Sequence, residues 1–155
     1  MSEAAAAVRR LPAVGKVGGV DCLFCAIVAG DIPSTKVYED ERTYAFMDIS
    51  PATEGHLIVV PKRHSRDILE IAEEDLAAVA ATGRRMAQRV TDVLGADGVN
   101  LLNNRGEHAW QTVFHFHLHV IPRYADTSRD TMQLPWIPTP GDGDAIRATG
   151  ARLAV

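Results

Sequence analysis

Hydrophobic positions recur along this chain with two periods, and the places where one gives way to the other mark its elements. Residues 1–20 carry Ala, Gly and Val without periodicity and read as an N-terminal extension. From Asp21 to Ala29, Leu23, Phe24, Ile27 and Val28 fall on one helical side, and Gly30 is a natural stop. Lys36–Glu39 and Thr43–Asp48 read as strands joined by an Asp-Glu turn. Pro51 closes the second, because the residue before a proline is pushed out of the helical region. A third strand is expected over Gly55–Val60. Leu76, Val79, Ala80, Gly83, Met86, Ala87, Val90, Val93 and Leu94 then form one apolar stripe at helical spacing, with Glu73, Glu74 and Asp75 at its positive end and Gly95 after it. Val99–Asn103 is the next strand, followed by a polar loop through Ala109 and a last strand over Gln111–Pro122. After Arg123, prolines and glycines interrupt every pattern, so 125–155 reads as an irregular C-terminal segment.

Strands clustered about one long helix, with short connections and no repeat, predict an α+β domain over 21–124. The expectation is an antiparallel sheet of about five strands, the long helix, and a short N-terminal helix. At 155 residues, 46% hydrophobic and 23% charged, the chain suits one globular domain. A net charge of −4 argues against a surface that holds long nucleic acid, while leaving room for a mononucleotide, which needs only a few local donors. No apolar run reaches the ~20 residues that cross a bilayer, so no membrane partner is expected. The N-terminus is a poor signal peptide, its arginines following the alanines, and the cytoplasm is the expected compartment.

The chemistry concentrates in Val113-Phe114-His115-Phe116-His117-Leu118-His119-Val120-Ile121. Side chains alternate across a strand, which puts the three histidines on one face and Phe116, Leu118 and Val120 on the other. Packing does not call for three imidazoles in a row. They are surface or incidental groups, or ligands of one metal, or reactive groups. The metal reading is awkward, because the outer two lie roughly 13–14 Å apart along a strand, against zinc–nitrogen bonds of about 2.0–2.1 Å. The chemical reading has a neutral imidazole as nucleophile towards phosphorus, beside a protonated neighbour that stabilises charge and assists the leaving group. Cys22-Leu23-Phe24-Cys25 is open between a metal site, a redox pair and two buried thiols.

The run His115–Ile121, preceded by Gln111-Thr112-Val113, resembles the signature of the histidine triad superfamily, in its bacterial zinc-containing type. The likeness extends through Cys22–Cys25, Phe46-Met47-Asp48-Ile49-Ser50-Pro51 and Gly55-His56-Leu57-Ile58-Val59-Val60-Pro61-Lys62-Arg63-His64, covering about residues 21–124. The resemblance implies a homodimeric hydrolase or transferase acting on a purine nucleoside phosphoramidate or related nucleoside phosphate through a nucleotidyl-histidine intermediate. The alternatives are a dinucleoside polyphosphate hydrolase and a slow-turnover nucleotide-binding regulator. His117 would be the nucleophile, His119 would contact the same phosphate, and His56 would support proton transfer. Asp48 would bind the ribose hydroxyls, Phe24, Ile27 and Ile49 would wall the base, and Asn104, Gln111 and Thr112 would surround the phosphate. Cys22, Cys25, His64 and His115 would hold a structural Zn2+ with no open position. Where the family usually has glycine before the glutamine, this chain has Trp110, which predicts a narrower pocket mouth and compact leaving groups.

Overall fold

The computed structural model describes residues 22–133 and 138–155; the expected extension over residues 1–20 lies outside them. The elements run α1 (Leu23–Ala29), β1 (Lys36–Glu39), β2 (Thr43–Met47), β3 (Leu57–Pro61), α2 (Glu73–Leu94), β4 (Gly98–Leu102), a 3-10 turn (Glu107–Ala109), β5 (Leu118–Arg123) and α3 (Gly143–Leu153). The five strands form one sheet in the order β1-β2-β3-β5-β4, with every neighbouring pair antiparallel. The expected α+β architecture is the observed one, and no helix among the described residues is long and apolar enough to cross a membrane.

The alternation of strand side chains divides the molecule into two halves. Ala45, Leu57, Val59 and Val120 face α2 and pack with Val79, Met86 and Val90. Tyr44, Phe46, Ile58 and Val60 face the other way, onto Phe24 and Ile27 of α1. Each fully buried aliphatic side chain contributes about 1.5–3 kcal/mol, so most of the stability comes from the α2 half. Helix α2 approaches the sheet closely at Gly83, beside Leu118. Its stripe is narrower than the sequence pattern suggests, because Val93 is exposed and Thr82 takes a buried place, sharing a hydrogen bond with Thr43. The N-terminal end of α2 is tied down by the buried Asp75, which accepts from Arg42 and Arg63.

Two expectations are corrected. The last strand does not span Gln111–Pro122; β5 begins at Leu118. The Phe116 N–H donates to the Ser65 carbonyl, and the β3 ladder ends at the Val59–Leu118 pair. The segment keeps its two-sidedness, with Phe116 buried against α2, but not its strand partners. The C-terminal segment is also not irregular throughout. Asp130 accepts from Arg123, the Tyr124 N–H and the Met132 N–H, which anchors the chain to the domain as far as Met132. Further on, Asp142 caps α3 by accepting from the Ala145 N–H, and α3 is exposed along its length.

The turn into β3 depends on Gly55, whose φ is +86°. A Cβ there would meet Leu94 Cδ1 and lie 3.2 Å from Pro122 Cγ. Gly55→Ala is expected to cost about 1–3 kcal/mol through combined strain and overpacking, read as a lower urea midpoint at unchanged slope.

Candidate functional site

Three imidazoles and one carboxylate converge on the α1 side of the sheet. His119 lies on β5 opposite Ile58 of β3, and His56 immediately precedes β3. The ring centroids of His117 and His119 are 4.9 Å apart and those of His56 and His119 are 5.1 Å apart. Phe24 from α1 stands edge-on to His117 at 5.2 Å. His115 is 0% exposed and His117 4%, and His119 is half-buried, so the incidental-surface reading of the three strand histidines fails.

The hydrogen bonds fix where each proton sits. His117 Nδ1 is 2.7 Å from the His115 carbonyl oxygen. A carbonyl only accepts, so Nδ1 carries the hydrogen and Nε2 keeps a free lone pair. At His56 the order is reversed. The Ala52 N–H donates to His56 Nδ1 at 3.0 Å, so the ring hydrogen is on Nε2. That Nε2 lies 2.9 Å from His119 Nδ1, which must accept, leaving the His119 hydrogen on its own Nε2. The site therefore presents one bare nitrogen, on His117, beside one N–H donor, on His119.

Burial keeps these rings neutral. It lowers the pKa of His117 against opposing help from the His115 carbonyl and Asp48. Burial, with His117 and His56 close by, pushes His119 down to about 4. Burial also lowers His56, and the charge of Asp48 partly opposes it. His119 thus starts as a neutral donor rather than the protonated neighbour expected from sequence.

A second cluster lies at the other end of the same segment. Cys22, Cys25, His64 and His115 each offer a ligand atom, and these atoms all lie within 4.8 Å of one another. His115 Nδ1 is 3.4 Å from both sulfurs, and His64 Nδ1 is 3.3 Å from that of Cys25. Zinc–sulfur and zinc–nitrogen bonds of about 2.3 and 2.0–2.1 Å at a tetrahedral angle put S and N about 3.5 Å apart, so the spacing fits a closed zinc set. The His115 tautomer fits as well, since its Nε2 donates to the Pro61 carbonyl at 2.8 Å and leaves Nδ1 free towards the sulfurs. Asp48, His56 and His119 are as closely grouped, but there the Ala52 N–H occupies His56 Nδ1. A metal on His56 Nε2 would place a hydrogen on Nδ1, against that N–H. The first cluster suits a metal and the second a proton relay. Burial, then Cys22, raises the Cys25 thiol to about 12, so metal binding must expel its proton.

The remaining expected site residues separate. Asp48 Oδ2 lies 3.6 Å from His56 Nε2, while Oδ1 accepts from the Ser50 N–H as a turn former does. Phe24 and Ile27 are buried, whereas Ile49 is 85% exposed and belongs to no core. Asn104 is half-buried and Thr112 exposed. Gln111 is buried, and its amide is occupied within the fold. It accepts from the Gly106 N–H and donates to the Arg66 and Val113 carbonyls, so it shapes the loop. Trp110 has a φ of +66°, is 69% exposed, and donates its N–H to the Glu107 carbonyl. His108 is exposed. Sequence reading missed Asn103, whose Nδ2 donates to the His117 carbonyl at 2.8 Å, and the backbone groups of Ala52 and Pro61. An asparagine at a strand end is a weak signal; the backbone groups have none.

A small antiparallel α+β domain with imidazoles aligned beside a buried ring nitrogen that carries no hydrogen has the form of a histidine triad protein. The chain matches the HIT domain over residues 29–126 and belongs to that family. It is similar to a protein of Streptococcus mutans UA159 whose crystal structure superposes with a TM-score of 0.80 at 41% identity, covering 92% of this chain and 91% of that one. A Zn-bound histidine triad family protein from Mycobacterium smegmatis is 42% identical with a TM-score of 0.67, covering 85% and 94%. The adenosine 5'-monophosphoramidase of Schizosaccharomyces pombe is 33% identical over 135 residues, 87% of this chain and 97% of that protein.

The lowered pKa of His119 sets a stability prediction. Between its unfolded value near 6.5 and its folded value of about 4, the unfolded chain binds a proton that the folded one refuses. His119, which faces His117, His56 and Asp48, therefore withdraws stability as pH falls through that window. Thermal melts should show a smaller loss of Tm from pH 7 to pH 4.5 in His119→Gln than in wild type, and equal losses would contradict the assignment.

Proposed function

We propose that this protein hydrolyses a purine nucleoside phosphoramidate or related nucleoside phosphate through a nucleotidyl intermediate on His117. The observation that carries the reading is the bare Nε2 of His117, held by its Nδ1–H bond to the His115 carbonyl, beside the His119 N–H donor. His117 Nε2 attacks phosphorus, and the bond to the leaving amine breaks as His119 supplies a proton. Water then cleaves the P–N bond, regenerating His117. The His56 N–H holds His119 in the tautomer that donates. Asp48 takes the ribose hydroxyls, with Phe24, Ile27 and Ile49 near the base and Asn104 and Thr112 near the phosphate. Gln111 acts there through the loop it holds. The named activity of the fission yeast relative supports this choice over a dinucleoside polyphosphate. The exposed indole of Trp110 keeps the second reading open, because an aromatic ring offers a second base a surface to stack on.

His117→Ala is expected to abolish turnover of an adenosine phosphoramidate while leaving the unfolding midpoint within about 1 kcal/mol of wild type. Rapid quenching of wild type with labelled substrate should trap the adduct on His117. Label on another residue, or near-normal turnover in the variant, refutes the reading. A kcat/KM higher for a diadenosine polyphosphate than for the phosphoramidate would decide for the second one.

We further assign a structural zinc to Cys22, Cys25, His64 and His115. The S–N spacing and the His115 tautomer support it, as does the Zn-bound relative. No position is left for substrate or water, so an ion here would contribute to folding rather than to bond cleavage. Protein purified without chelator should carry one zinc per chain, and its removal should lower Tm; metal analysis finding none counts against the site. We also propose a homodimer joined through α2 and the edge of β4. β4 ends the sheet, and Leu101 and Leu102 are exposed there. The cytoplasm suits two cysteines kept free for metal.

A further inference from the structure

The two clusters are not independent, and the segment that joins them is short. His115 gives its ring to the sulfurs of Cys22 and Cys25 and its carbonyl to His117 Nδ1. A second route runs through α1, because Phe24 lies between the two cysteines. Its ring meets His115 at 6.0 Å and His117 at 5.2 Å, both edge-on. Any rearrangement of the Cys22–Cys25 turn therefore reaches the nucleophile from both sides. Access is uneven across the cluster: Cys22 and His115 are buried, Cys25 is half-buried, and His64 is exposed.

We propose that Cys22 and Cys25 form a peroxide-sensitive switch whose oxidation expels the metal and releases His117 from its catalytic tautomer. The inference rests on the zinc set and the role of His117 proposed above. Both sulfurs are thiolates when they ligate a metal. The Cys25 sulfur, the more accessible, attacks one oxygen of hydrogen peroxide; the O–O bond breaks, giving a sulfenic acid and hydroxide. The Cys22 thiolate then attacks the Cys25 sulfur, forming the S–S bond and expelling a second hydroxide. Two electrons leave the sulfur pair, peroxide is reduced, and two protons from solvent complete two waters. A disulfide needs its sulfurs about 2.05 Å apart, which draws them away from the imidazoles and leaves His64 and His115 as the only ligands. The His115 ring then keeps only its bond to Pro61, and the Cys22–Cys25 turn that carries Phe24 is reshaped.

The test treats the zinc-loaded full chain with hydrogen peroxide and follows three quantities together. These are intact mass, zinc captured by a chromogenic chelator, and the nitrogen-15 NMR signal of the His117 Nδ1–H. The expected result is loss of two hydrogens per chain, release of one zinc in step with it, and broadening or loss of the His117 N–H signal. Thiol reductant plus zinc should restore all three. Zinc removal by chelator under reducing conditions should disturb the same signal without the mass change. Oxidation that leaves the zinc bound, or zinc loss that leaves the His117 N–H signal unchanged, overturns the proposal. None of the readouts requires turnover. An untreated protein that hydrolyses no nucleotide would therefore refute the enzymatic reading while these measurements still decide the switch.

Discussion

The 2.7 Å hydrogen bond from His117 Nδ1 to the carbonyl of His115 is the contact around which the rest of the site is arranged. A regular strand does not make it, because ladder carbonyls point sideways to a neighbouring strand. The chain must leave the sheet at this point, and several of the groups this frees find other partners. The Phe116 N–H goes to Ser65, the Pro61 carbonyl takes the His115 ring, and the His117 carbonyl takes the Asn103 amide. No buried side-chain nitrogen or oxygen among the described residues is left without a partner. This accounting allows an irregular stretch to sit in the interior at little cost, since an unpaired buried polar group costs about 1–3 kcal/mol.

The sheet separates stability from chemistry. Its α2 face is filled by aliphatic side chains and tolerates no polar group without a partner, as the shared hydrogen bond of Thr43 and Thr82 illustrates. Its α1 face gives up part of that packing to carry imidazoles. The buried aliphatic wall behind them is also what lowers their pKa values, because it removes the water that would solvate an imidazolium.

Much of this was legible in the sequence because alternation reports face, and face survives irregularity. Phe114–Val120 alternates without interruption, which assigns the histidines and Phe116 to the correct sides. The same signal could not show that ladder pairing stops at Leu118, since that depends on a carbonyl of Ser65 far away in the chain. Strand β1 matched residue for residue, and the long helix was bounded correctly by its acidic first turn and Gly95. α3 was missed because its glycines and the prolines before it outweighed the Asp142 cap. Gln111 shows a limit of transferring roles by position. A buried amide with every donor engaged in the fold reads in sequence like one directed at a ligand. The proposed metal set was legible only through the resemblance, because CxxC alone fits several chemistries.

The neutral state of His119 bears on when the site becomes able to act. With a pKa of about 4, the ring would hold almost no second proton at neutral pH, and a neutral N–H is a weak acid towards a leaving group. An anionic phosphate changes the balance as it binds. A unit charge about 4 Å away contributes about 1 kcal/mol in water and about 4 kcal/mol at an effective dielectric of 20. For a partly buried ring, that attraction favours the protonated form and moves its pKa upward. The Asp48 carboxylate already pushes in the same direction. In the mechanism proposed above, the acid would thus be created by the substrate it serves, while His117, tied to the His115 carbonyl, keeps its hydrogen on Nδ1 and its lone pair free. Two neutral rings are held in opposite tautomers by what their Nδ1 atoms touch: a carbonyl at His117 and an N–H at His119.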